Sequence, residues 1–166
     1  MYYTWNELFW IFFSYSFIGW CAGVIANALH RKKFVNTGFL NLPLCPIYGT
    51  IGVAYGFFLP ELKNHLFFLF LGGCVIAFLI IWITGFLLEQ IFNRKWWDYS
   101  KSRFQFQGYL NQLHLLIFGA LAVVCIRYIN PLLFKLTDMI PGTINFVLKI
   151  VLSVLFLADI ICCIAV

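Results

Sequence analysis

The chain has 166 residues, 63% hydrophobic and 20% aromatic, with only 10% charged and a formal net charge of +5. A soluble domain carries about 25% charged residues, so this composition cannot clothe a water-facing surface and points to lipid. The positive charge does not indicate nucleic acid, because Lys and Arg gather in short loops beside apolar spans, the pattern that orients membrane proteins.

In chain order, the first residues, Met1 to Glu7, carry no Lys or Arg, so no cleavable signal peptide is expected. A spanning helix needs about 20 apolar residues. Five such stretches are predicted, at about 6–29, 44–62, 66–92, 109–129 and 143–166. The second is the shortest: the stretch from Pro46 to Pro60 rises only about 22 Å as a helix, less than the roughly 30 Å hydrocarbon core. Either Leu44 and Leu62 help it to span, or it is partly re-entrant. Gly49, Gly52 and Gly56 favour close packing against a neighbour, as do Gly19 and Gly23 on the first span, where Ser16 and Asn27 share their face.

Two polar segments interrupt the apolar pattern. Residues 33–49 form a turn-rich loop between the first two spans, and residues 94–103 follow the third. Arg31, Lys32 and Lys33 flank the first, and Arg94, Lys95, Lys101 and Arg103 lie in the second. On the opposite side stand Lys63, Arg127 and Lys135. The basic loops belong in the cytoplasm, which puts the N-terminus outside and the C-terminus inside. Residues 93–108 mix cations with aromatics and suit the headgroup layer. Residues 130–141 read as a short amphipathic piece on the outer surface. The expected architecture is therefore an all-α integral membrane protein. It is a single transmembrane domain over 1–166, a bundle of about five transmembrane helices with an interfacial segment after the third.

Polar groups inside spans are costly and are functional candidates by default. Candidate ligand- or partner-binding residues are Asn36 and Tyr48 of the first loop. Glu89, Trp96, Trp97, Asp98 and Tyr99 stand around the second loop, and His114 and Asp159 lie within spans four and five. Asn36 or Tyr48 is expected to reach Asp98 or Trp97. Asp159 is expected to find a partner among Asn27, His30, Asn111, His114 or Arg31. The bland alternatives are helix-locking hydrogen bonds for Asp159 and ion pairs with Arg94, Lys95 or Arg103 for Glu89 and Asp98. The six cysteines read as small apolar packing residues, with no Cys-x-x-Cys among them. Two histidines without fixed spacing make no metal site. No phosphate-binding Gly-rich loop, nucleophile elbow or His-Glu-x-x-His motif occurs. No catalytic residue, metal or cofactor is therefore expected, and the chain does not read as an enzyme.

Several blocks are specific. Tyr15-Ser-Phe-Ile-Gly-Trp20, Lys33-Phe-Val-Asn-x-Gly-Phe-Leu40, Pro43-x-Cys-Pro-Ile-Tyr-Gly49, Leu88-Glu89 and Trp96-Trp-Asp-Tyr-Ser100 resemble the bacterial family described as Putative ABC-transporter type IV, or CmpB-like, over roughly residues 9–120. The resemblance implies a short multispan membrane protein of permease type. Relatives usually carry Glu where this chain has Gly23, Arg where it has Thr37, and Gly where it has Leu42. An acid and a base are thus missing together, which implies that the two pair in relatives.

Three functions compete. A permease-like transport subunit would act as an oligomer or with another membrane protein or an ATPase subunit. A non-transport scaffold would bind lipid or another membrane protein. A substrate-binding component of a vitamin or metal uptake system would use Ala22 and Ala26 of the first span as a docking face.

Overall fold

The computed structural model describes residues 3–31, 40–93, 98, 100 and 105–165, and it is helical almost throughout. The helices are α1 (Trp5–Arg31), α2 (Pro46–Phe58), α3 (Leu66–Phe92), α4 (Gln112–Val124), α5 (Asn130–Asp138) and α6 (Gly142–Ala165). A two-stranded ladder, β1 (Gln105–Phe106) with β2 (Leu110–Asn111), is the one departure from helix pairing among the described residues. Four helical stretches are long and apolar enough to cross a membrane: Trp5–Ala26, Leu66–Phe92, Gln112–Asp138 and Gly142–Cys163. The chain is an all-α membrane protein, as its composition requires.

The expected outer-surface piece at 130–141 is not separate. Helix α4 runs through a π turn, Cys125–Ile129, directly into α5. Pro131 accounts for the widening. It has no N–H, and its ring crowds the carbonyl four residues back, at Arg127. The wider turn lets the Asn130 N–H bond to Cys125 O instead. Asn130 is fully buried there. A hydrophobicity pattern alone reads the polar Asn-Pro pair as a helix end.

Cα packing divides the chain into two units. One comprises residues 53–131, and the other combines 3–52 with 132–166. In the first unit α3 and α4 lie antiparallel. Small residues allow this: a Cβ on Gly73 would strike Ala122, and one on Gly119 would strike the Cys74 sulfur. The Tyr55 hydroxyl, from the second half of α2, faces both Gly73 O and Phe118 O at 3.1 Å, so one buried proton is shared between the two helices. Helix α3 ends at Asn93 in the left-handed conformation (φ 50°), a cap that Asn fills second only to Gly. The hairpin turn uses the same region at Gln107 (φ 49°) and Gly108 (φ 79°), and Tyr109 N–H closes it on Phe106 O at 3.0 Å. Asn111 then caps α4, accepting from Leu113 N–H at 3.1 Å.

In the second unit α1 and α6 run in the same direction. Asn145 donates to Asn6 at 3.3 Å and accepts from Trp10 Nε1 at 3.0 Å. Further along, Phe156 meets Phe12 and Phe13 edge-on, at 5.4 and 5.8 Å between ring centres. Interhelical amide bonds of this kind join helices where lipid gives no hydrophobic drive.

Candidate functional site

The site begins with where α2 starts. Cys45 N–H donates to Ser16 O at 3.0 Å, far from the Arg31 end of α1. Ser16 lies about 16 Å along the helix axis from Trp5, close to half of a roughly 30 Å hydrocarbon core. Helix α2 therefore begins beside the middle of α1, and it does not cover the length of α1 by itself. Helix α2 has 13 residues, about 20 Å of rise. It runs antiparallel to α1, with Tyr48 against Gly19, Gly49 against Ser16 and Phe12, and Gly52 against Tyr15. The glycines singled out by sequence make these approaches possible. A Cβ on Gly49 would collide with Ser16 Oγ and the Phe12 carbonyl.

Local chemistry explains the start of α2. Pro46 occupies the first helical position, where its missing N–H costs nothing. The Cys45 thiol lies against the backbone N–H groups of Tyr48 and Ile47 and so covers donors that a helix start leaves open. Tyr48 N–H also closes on Cys45 O at 3.1 Å. Ser16 is 0% exposed, and its Oγ has no hydrogen-bond partner among the described residues.

From α6, Asp159 meets this segment. Its Oδ2 accepts from Leu42 N–H at 2.8 Å and its Oδ1 from Asn41 Nδ2 at 3.0 Å. One turn further, the Cys163 sulfur lies 3.3 Å from Asn41 Nδ2 and 3.9 Å from Asp159 Oδ1. Asp159 is 9% exposed and sits about 9 Å along the axis from Ala165. An acid at a span centre costs about 2.5–3.5 kcal/mol on insertion scales, and these donors offset part of that cost.

Asp159 is thus partnered, as expected, but by Asn41 and Leu42 rather than by Asn111 or His114. Asn111 spends its side-chain oxygen on the α4 cap. His114 lies in the first turn of α4. The side chains of Asn27, His30 and Arg31 lie outside those described. The expectation sought partners for Asp159 only among side chains of the spans and Arg31, so it did not consider a backbone N–H of the first loop. The only sign was the shortness of the stretch after Pro46.

The remaining candidates divide. Asn36, Trp96, Trp97 and Tyr99 lie outside the described residues. Tyr48 packs on Gly19. Asp98 accepts from Ser100 N–H at 2.9 Å and from the Ser100 hydroxyl. Glu89, near the end of α3, accepts from the Tyr109 hydroxyl. This bond and the nearby carboxylate push the Tyr109 phenol above its ordinary range, the hydrogen bond first. Beside them Trp82 Nε1 donates to Gln107 at 3.0 Å and Phe78 meets Phe106 edge-on at 5.1 Å, which fastens the hairpin to α3.

Sequence reading missed Asn41, Ser16 and Cys163 as parts of the site. It also missed Lys149, which lies inside the fifth span and so escapes a count of loop charges. Lys149 places its Nζ 5.9 Å from the centre of the Phe9 ring, within the reach of a cation–π contact.

No curated protein and no solved structure matches the chain. The family model described as Putative ABC-transporter type IV matches residues 10–164, and with that match covering nearly its whole length the chain belongs to that family.

Proposed function

We propose that the chain is a permease-like membrane transport subunit acting with partner subunits or as an oligomer. Its N-terminus lies outside and its C-terminus in the cytoplasm, and its solute-facing region is the segment 40–49 together with Asp159. One observation carries this reading: irregular backbone, a half-length helix and a carboxylate meet beside the middle of the long apolar helix α1. Non-helical backbone survives there only when buried in protein or lining a watery cavity. Broken helices around a midplane acid are how many transporters build their sites. Four long spans and one half-helix make a small permeation unit, so a partner completes it, and the family name favours an ATPase.

Affinity purification of the full chain from native membranes in lipid nanodiscs tests the reading. Stoichiometric recovery of an ATPase subunit is the expected result. Recovery of lipid alone, or of a non-ATPase membrane protein alone, overturns it in favour of a scaffold. The orientation has its own test. A single cysteine placed at Ser102 should resist an impermeant thiol reagent in intact cells and react after the membrane is opened.

A further inference from the structure

We propose that Asp159, Asn41 and Cys163 form a proton-binding site at bilayer depth, in which uptake of one proton reverses the hydrogen bonds of the Asn41 amide. The inference rests on the transport reading and deepens it by giving the segment 40–49 a bound proton.

In the observed arrangement both Asp159 oxygens act as acceptors, from Leu42 N–H at 2.8 Å and Asn41 Nδ2 at 3.0 Å. That is the pattern of an ionised carboxylate. The same Asn41 nitrogen points at the Cys163 sulfur at 3.3 Å. Add a proton to Asp159 Oδ1 and this oxygen becomes a donor, which can no longer face an N–H. A half-turn of the Asn41 amide cures the conflict. Its Oδ1 then accepts from the Asp159 hydroxyl, and it can accept from the Cys163 S–H as well. Leu42 N–H keeps its acceptor on Oδ2 throughout. Both oxygens of the Asp159 carboxyl are therefore bonded in either charge state. The neutral one also removes the cost of a charge in hydrocarbon.

Few other groups compete for the proton. The titratable groups on the elements packed around Asp159 include Cys162 and Cys163 on α6, Cys45 before α2 and Tyr48 on it, and Tyr15, Cys21, His30 and Arg31 on α1. Glu7 and Lys149 lie toward the opposite ends of α1 and α6. Among the described residues only Cys163, of these, is within hydrogen-bonding distance of the carboxylate.

Difference infrared spectroscopy on the full chain reconstituted in vesicles reads this directly, titrated from about pH 4 to about pH 9, which brackets ordinary carboxyl titration with room for a shift. Acidification should bring up a protonated-carboxyl band that Asp159→Asn abolishes and Asp159→Glu moves. The S–H stretch, assigned to Cys163 with Cys163→Ala, should shift with the same midpoint. Absence of any Asp159-dependent carboxyl band overturns the site. A carboxyl band that titrates while the Cys163 S–H stays fixed overturns the reversal of Asn41. If Asp159→Asn does not fold, the displaced band of Asp159→Glu makes the same assignment. The measurement needs neither substrate nor partner, so its failure is distinct from a failure to recover an ATPase.

Discussion

The two packing units solve the same problem, joining helices in a solvent as apolar as their side chains, by different means. Residues 53–131 do it with small residues and one shared hydroxyl: Gly73 on Ala122, Gly119 on Cys74, and Tyr55 between two carbonyls. The unit of 3–52 and 132–166 does it with amides and a carboxylate, at Asn6–Asn145–Trp10 and at Asn41–Asp159. In the first solution the groups between α3 and α4 are uncharged: small side chains, a hydroxyl and two backbone carbonyls. The second invests a titratable group in holding irregular backbone at depth.

The largest effect should come from breaking that investment. Asp159→Leu strands the part-buried Leu42 N–H without an acceptor, at about 1–3 kcal/mol, and frees the exposed Asn41 amide from the carboxylate. Thermal unfolding in detergent should fall well below wild type. Asp159→Asn keeps an oxygen for Leu42 and an amide for Asn41, and should stay near wild type. Equal stability of the Leu variant would show that the carboxylate holds nothing.

Next in size is a pair of glycine substitutions that contrast the units. Gly49→Ala drives a methyl into Ser16 Oγ and the Phe12 carbonyl, and Gly73→Ala drives one into the Ala122 methyl. Overpacking of this kind costs about 1–3 kcal/mol. The rescue should differ. Ala122→Gly opens the space beside Gly73 and should restore that variant nearly completely. Ser16→Ala removes only the hydroxyl, so the Phe12 carbonyl still blocks Gly49→Ala and rescue should be partial. Double-mutant cycles on unfolding midpoints measure both.

These contrasts also show what the sequence could disclose. The spans of α1, α3 and α6 are legible because about 20 apolar residues in a row have one physical meaning. The α1–α2 contact is legible because Gly19, Gly49 and Gly52 have few other uses within a span. The partner of Asp159 is not legible, since the donor is a backbone N–H and Leu42 carries no sign of it. The join of α4 to α5 is hidden for a related reason: a proline is read as a helix end, while a single π turn absorbs it. Glu89 was singled out, but its partner is Tyr109, a hairpin residue whose position depends on two left-handed residues at Gln107 and Gly108.

A smaller effect is expected at Tyr55. Tyr55→Phe removes the proton shared by Gly73 O and Phe118 O, while both carbonyls keep their places in helices. The loss should be about 1 kcal/mol, the usual net worth of one hydrogen bond. A much larger loss would mean that the first unit, too, depends on a polar keystone.

The finest test is alkaline. Tyr109 donates to Glu89, and the carboxylate pushes its phenol up from 10.0. A group whose pKa is raised on folding favours the fold in its protonated form. The Tyr109–Glu89 bond therefore contributes fully at neutral pH, below the ordinary tyrosine value. The contribution is lost as pH rises through the raised value, when two anions face each other. Ultraviolet titration of tyrosinate absorbance should show one phenol ionising later than an exposed tyrosine, and Glu89→Gln should move that phenol back toward the ordinary range by removing the negative neighbour. Over the same alkaline interval the hairpin should loosen from α3, seen as a change in the fluorescence of Trp82 through its bond to Gln107. Replacing Trp82 with Phe identifies that signal. If Glu89→Gln leaves the late phenol unmoved, the Tyr109–Glu89 bond does not fasten the hairpin, and the first unit holds that end by the Trp82–Gln107 bond and the Phe78–Phe106 contact.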